Sequence, residues 1–179
     1  MTAQLPDEIV YRGSRYALFA NPLEAYFSAA NPRPAFLMLS TANRRGYIAE
    51  WEIADDRLFL VALTGKVRLE SMPIPSEGGA RHPHWHAGDC GDGPFFLTDL
   101  FPQGGPVPAD WYTGVLKLPV GRMAKYVHAH YASRYESYIF LTITQGRLTN
   151  VEQIDGAAYH RDEDERARQS WERFVATLK

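Results

Sequence analysis

Five of the six histidines fall between positions 82 and 130, in two His-x-His groups. His82, His84 and His86 alternate, so in an extended segment all three face one way. Neutral imidazoles converging in that manner bind zinc or another divalent metal, and Asp89 or Cys90 could add a ligand. The order His84-x-His86-x-x-Asp89 is a fragment of several metallo-hydrolase signatures, without the flanking strand and the distant second ligand set such enzymes use. The competing reading is an exposed loop rich in Gly and Pro that happens to carry histidine. His128 and His130 form the second group. On a strand they share a face with Tyr126, and Glu136 could orient one imidazole as half of an acid–base pair. The competing reading makes one of them a satisfied core residue and the other a solvent-exposed one. A hydrolase built from His84, His86, His128, His130 and Glu136 requires the loop to fold over residues 126–136.

Other chemistry is thinly represented. No Gly-x-Ser-x-Gly elbow occurs, and Cys90 has no adjacent basic group to lower its pKa. Neither a P-loop nor a Gly-x-Gly-x-x-Gly after a strand is present, so no nucleotide cradle is expected. What stands out instead is aromatic content. Aromatic residues make up 13% of the chain, ten of them tyrosine. The densest cluster spans residues 109–146, with Trp111, Tyr112, Tyr126, Tyr131, Tyr135, Tyr138 and Phe140. Tyrosine is amphipathic and frequent at recognition surfaces, although half-buried β-sheet faces favour it too. Trp111, Tyr126, His128, Tyr131, Tyr135 and Glu136 are the candidate binding residues, with Tyr131 and Tyr135 as surface positions. Trp51 and Trp171 are assigned to the core.

These groups need elements to hold them. Residues 8–20 read as a hairpin turning at Arg12-Gly13-Ser14. Asn21-Pro22 opens a short helix over 22–30, closed by the NPRP run at 31–34. Residues 35–41 are an apolar run of strand length. Residues 47–53 alternate with period two, turn at Asp55-Asp56-Arg57 and return along 58–65, a second hairpin. Residues 73–94 read as a long loop. Residues 95–102 read as a short strand or a single helical turn, and 103–110 as another loop. Strand pattern returns at 111–118, followed by a turn at Pro119-Val120-Gly121. Ser133 and Glu136 match a capping box, which would start a helical turn. Residues 138–146 and 148–154 form a third hairpin, with Ile139, Leu141 and Ile143 on one face. The tail, 157–179, is an amphipathic helix whose stripe is Ala167, Trp171, Phe174, Val175 and Leu178. The expected fold is α+β: a strongly bent, mainly antiparallel sheet or partly open barrel, with a short N-terminal helix and a C-terminal one.

Composition narrows the class. A chain of 179 residues predicts one domain, 1–179, and a core that needs no disulfide. Net charge is -2, which argues against general nucleic-acid binding or attachment to an anionic membrane surface. No apolar run reaches the length of a membrane span, and no secretory signal opens the sequence. One cysteine fits a reducing compartment, so a bacterial cytoplasmic protein is expected.

Two motifs carry a resemblance. Trp111-x-Thr113-Gly114-x-Leu116-x-Leu118-Pro119-x-Gly121 is followed by Tyr126-x-His128-x-x-Tyr131-x-Ser133-x-Tyr135-Glu136. Arg45-Gly46-Tyr47-x-Ala49-x-Trp51-x-Ile53 lies upstream. Together, over residues 8–155, they resemble small uncharacterised bacterial proteins, some encoded beside Rhs or other polymorphic toxins. The resemblance implies an immunity or accessory role and supplies no catalytic residues. The 73–94 segment is an insertion relative to that pattern. The expected function is therefore a non-enzymatic protein-binding domain, an immunity-type inhibitor with a toxin as its partner and no cofactor. The alternative is the small hydrolase, metal- or His-dependent, with zinc or another divalent metal as cofactor in its metal-dependent form.

Overall fold

The computed structural model describes residues 2–68 and 91–176. The chain is mostly β-sheet with helices set against it. β1 (Asp7–Tyr11) and β2 (Ser14–Leu18) form the first hairpin. β3 (Tyr47–Ala54) and β4 (Arg57–Arg68) form the second, and β8 (Arg134–Thr144) and β9 (Arg147–Asp155) the third. Each turns on two residues, and each turn pair has positive φ at both positions: Arg12-Gly13, Asp55-Asp56 and Gln145-Gly146. That is the turn whose twist matches two right-twisted strands.

β5 (Asp92–Phe96) and β6 (Val107–Pro108) pair with β4, and β7 (Gly114–Lys125) pairs with β8. The order is β2-β1-β3-β4-β9-β8-β7, with β5 and β6 on β4 beside that path. Among the described strands only β1 and β3 run parallel, so the sheet is mixed rather than purely antiparallel. The sheet does not close. Its two ends approach where Phe19 N–H donates to the Lys117 carbonyl at 2.8 Å. β4 and β9 meet at one paired position, Arg57 opposite Arg147.

The alternation seen in the sequence becomes the core. Tyr47, Ala49 and Trp51 of β3 point inward against Ile9, Leu58, Leu60 and Leu63. Trp51 is 1% exposed, and burying a side chain of that size contributes about 3 kcal/mol. On β8, Leu141 and Ile143 are buried and Ile139 packs against the same core. Residues 95–102 hold both expected forms, the end of β5 and the single turn α1 (Leu97–Leu100). The C-terminal helix is α2 (Gly156–Ala176).

Several expectations are corrected. The early helix is a single 3-10 turn, Pro22–Ala25. Residues 35–41 are not a strand: Phe36 makes a single bridge to Val67, where β3 has already ended beside β4, and Ser40 makes a local one to Asn43. Met38 and Leu39 project outward, 60% and 53% exposed. Pro119-Val120-Gly121 is no turn. β7 runs through it, because a strand at the end of the sheet path tolerates a residue with no N–H, and the irregularity falls between Val120 and Met123. The Ser133/Glu136 pattern starts no helix; β8 begins at Arg134. Of the expected loop 73–94, residues 73–90 lie outside the described residues, and 92–94 belong to β5, which starts at Asp92. Trp171 is not core: it is 65% exposed.

Candidate functional site

The expected site residues separate into three places. His82, His84 and His86, with Asp89 and Cys90, lie outside the described residues. His128 and His130 follow the end of β7 in a bend rather than a strand, and both are exposed. His130 has φ of 38° and bridges to Ala3. A bend breaks the period-two geometry that would have set the two imidazoles side by side. Tyr126 does lie beside His128, with its hydroxyl 3.0 Å from Nδ1. Glu136 does not orient either histidine. Its Oε2 accepts the Arg122 N–H at 3.0 Å, and Oε1 lies 3.6 Å from the Arg122 guanidinium. The acid–base pair expected there is therefore absent. Among the described residues, no group of three or more His, Cys, Asp or Glu is placed to hold a metal ion.

The proposed aromatic face is also divided. Tyr126 is 60% exposed. Trp111 instead packs against Tyr26 and Phe101, and its indole N–H reaches the Pro22 carbonyl. Tyr135 is half-buried, edge-on to Phe19 and Tyr138. Tyr131 stacks flat on Phe19 and donates its hydroxyl to Asn21 Oδ1 at 2.9 Å.

Tyr131 belongs to a buried polar knot that sequence reasoning missed. At its centre is Asp7, fully buried at the start of β1. Asp7 Oδ1 accepts the Ala49 N–H at 3.1 Å and Arg45 Nη2 at 2.9 Å; Oδ2 accepts the Trp51 indole at 3.2 Å. Burial pushes the Asp7 carboxyl up to about 6, against the pull of Arg45 and the two N–H donors. Arg45 also donates to the Leu5 carbonyl, Asn21 Oδ1 and the Tyr131 hydroxyl. The guanidinium thereby ties together four segments distant in sequence. Tyr47, alongside, donates to Glu24 and is held well above the usual phenol range, first by burial and then by the Glu24 charge.

A second missed cluster joins α2 to the sheet. His160 Nδ1 lies 3.0 Å from Glu163 Oε2, and Nε2 lies 2.9 Å from the Tyr138 hydroxyl. An ionised carboxylate only accepts, which places a proton on Nδ1, while the Tyr138 hydroxyl is shared between Nε2 and the Ser133 carbonyl, 3.3 Å away. Tyr138 oxygen accepts the Tyr135 N–H at 2.9 Å. Tyr159 donates to Glu163 at 2.7 Å and receives Lys117 Nζ at 3.3 Å. That ammonium sits 4.4 Å from the centres of both the Tyr138 and Tyr159 rings. Burial lowers the Lys117 pKa, and the Glu163 charge opposes this.

Hydroxyl, imidazole and carboxylate in that order match the roles of nucleophile, base and orienting group. Access decides against catalysis: Tyr138 is 0% exposed and His160 7%. No substrate atom reaches the hydroxyl, so the chain of hydrogen bonds acts as a clamp. Tyr138→Phe should cost about 1–3 kcal/mol in urea denaturation, because it strips partners from His160 Nε2 and the Tyr135 N–H. The usable signal in the sequence was His160 and Glu163 three apart on one helix face, passed over because His160 stood outside the two histidine groups.

No described helix is long and apolar enough to cross a membrane. In comparisons with family models, curated proteins and solved structures, nothing matched this chain.

Proposed function

We propose that the chain is a non-enzymatic protein-binding domain, and that the outer half of α2 with the exposed 122–128 arm forms its contact surface. The observation that carries this reading is Trp171, 65% exposed on a helix whose inner half is firmly docked. His160, Asp164, Ala167, Trp171 and Phe174 recur at intervals of four and three, which is one helix face. The first two are tied to the sheet, His160 to Tyr138 and Asp164 to Arg134 at 2.7 Å. Continuing outward, the face carries Trp171 and Phe174, their rings 5.8 Å apart. Large exposed aromatics on a rigid mount are the residues that anchor protein interfaces. Met123 and Tyr126, 48% and 60% exposed, extend the apolar surface of the arm.

An immunity-type inhibitor of a bacterial toxin is the specific form of this reading, and it rests on the sequence resemblance. The test is to sequence the genes on either side and to titrate the purified protein calorimetrically against any toxin encoded there, with toxin activity followed in parallel; no toxin gene beside it would overturn the immunity form of the reading. A one-to-one inhibitory complex is expected, weakened at least about tenfold by Trp171→Ala. Absence of a complex, or unchanged affinity in Trp171→Ala, would overturn it.

A further inference from the structure

Away from α2, the sheet parts at the junction of its two halves. β9 pairs with β8 along its whole length but with β4 only at Arg147. Beyond Leu148, whose N–H still reaches the Asp56 carbonyl at 2.8 Å, β9 runs past the tip of the β3–β4 hairpin. From Thr149 to Gln153 every residue is exposed. An open cleft of about 470 Å³ lies between this part of β9 and the tips of the first two hairpins. Its lining includes Tyr11, Arg12, Ile53, Asp55, Asp56 and Val151.

Three features define what fits there. Among the described residues, the edge of β9 that faces the cleft has no neighbouring strand past Arg147, which is the template for strand addition. Tyr11 lines the cleft and is only 5% exposed, yet its hydroxyl has no hydrogen-bond partner among the described residues. A buried hydroxyl left unpaired is unfavourable, and a turn of the Tyr11 ring toward the cleft would bring it to an incoming carbonyl or amide. The charge is lopsided as well. Asp55 and Asp56 are exposed, whereas the one cation among the described lining residues, Arg12, lies over the Tyr11 ring with its guanidinium carbon 5.2 Å from the centre.

We infer that this cleft binds an extended peptide segment of a partner, added as a strand along the open edge of β9, with a basic side chain directed to Asp55 and Asp56. The segment takes the place in the sheet where β4 stops, beside the hairpin tip. This site is separate from the α2 surface and does not depend on it.

The test uses the full isotope-labelled chain and a blocked peptide of alternating lysine and valine, long enough to span Thr149–Asp155. Backbone amide shifts of β9 residues 149–153 are expected on titration. A glutamate–valine twin should bind at least about tenfold more weakly, and a twin N-methylated at alternate amides should not shift these residues. Tyr11→Phe should fold as well as the parent, since only an unpaired hydroxyl is lost, and should bind the lysine peptide about threefold or more weakly. Asp55→Asn with Asp56→Asn should erase the preference for lysine over glutamate. Equal binding of the glutamate or N-methylated twin, or no shift in β9, would overturn the proposal. So would the same amides shifting with protein concentration alone, which would assign the edge to a second copy of the chain.

Discussion

Arg45→Met is expected to destabilise the fold by about 3–5 kcal/mol at pH 8 and by distinctly less at pH 5. The Asp7–Arg45 pair is closed off from water: side-chain exposure is 0% for the carboxylate and 12% for the guanidinium. Removing the cation leaves a buried anion with only the Ala49 and Trp51 donors to hold it. The pH dependence follows from Asp7, whose folded pKa of about 6 lies above the ordinary 3.8. Between those values the folded chain keeps a proton that the unfolded chain has released. The stability this contributes is fully present below pH 3.8 and is lost as pH rises through 6, a span on the order of 3 kcal/mol. Without Arg45 the attraction that opposes burial disappears, so the folded pKa rises further and the decline extends to higher pH. Urea denaturation between pH 5 and pH 8 measures this directly. A loss in Arg45→Met that does not vary with pH would show that Asp7 does not titrate in the folded state. Adding Asp7→Asn should flatten the slope.

That knot also marks where sequence reading stops. The strands were legible because period two in Tyr47–Ile53 and in the Ile139, Leu141, Ile143 set reports one buried face. The turns at Arg12-Gly13-Ser14 and Asp55-Asp56-Arg57 were legible in place but one residue too long, since Ser14 and Arg57 already pair in the ladders. Asp7 and Arg45 are 38 positions apart, and neither carries a local pattern saying that the other will meet it. The apolar run 35–41 misled because hydrophobicity alone does not supply a partner strand; β4 has room there for one bridge, at Val67. Trp171 misled for the opposite reason. Its helical spacing is real, and the stripe it belongs to docks at His160, but the sheet beneath does not extend as far as the helix does. Glu136 was placed beside the histidines by proximity in sequence. In the fold its carboxylate accepts from the Arg122 backbone across the β7–β8 pair, where Gly121, with φ of 80°, leaves room for it.

Gly156→Ala should release α2 from the sheet while leaving the β1–β4 region folded. β9 passes into α2 with no linker, and Asp155 caps the helix by accepting the Ala158 N–H at 2.9 Å. A Cβ on Gly156 would overlap the Tyr135 carbonyl oxygen and come within 2.9 Å of both the carbonyl carbon and the carbonyl oxygen of Glu136. Those atoms are backbone of β8, where Tyr135 pairs with Met123 of β7 and pairing with β9 begins just after Glu136, at Ser137, so no side chain can swing aside to make room. The helix must lift, and lifting pulls His160 from Tyr138 and Asp164 from Arg134. A cost of about 3 kcal/mol or more is expected, at the upper end for an inserted methyl. Gly13→Ala is the control. Unlike Gly156 it has a positive φ, 73°, but no atom lies within 4 Å of its Cβ, so only about 1 kcal/mol of backbone strain applies. Hydrogen exchange separates the outcomes: in Gly156→Ala, α2 amides should lose protection while those of β3 and β4 keep theirs. Equal costs for the two variants would mean that α2 is not seated against β8 as described. If α2 is released, binding through Trp171 should weaken as well, because a contact residue on an undocked helix must be ordered again each time a partner is met.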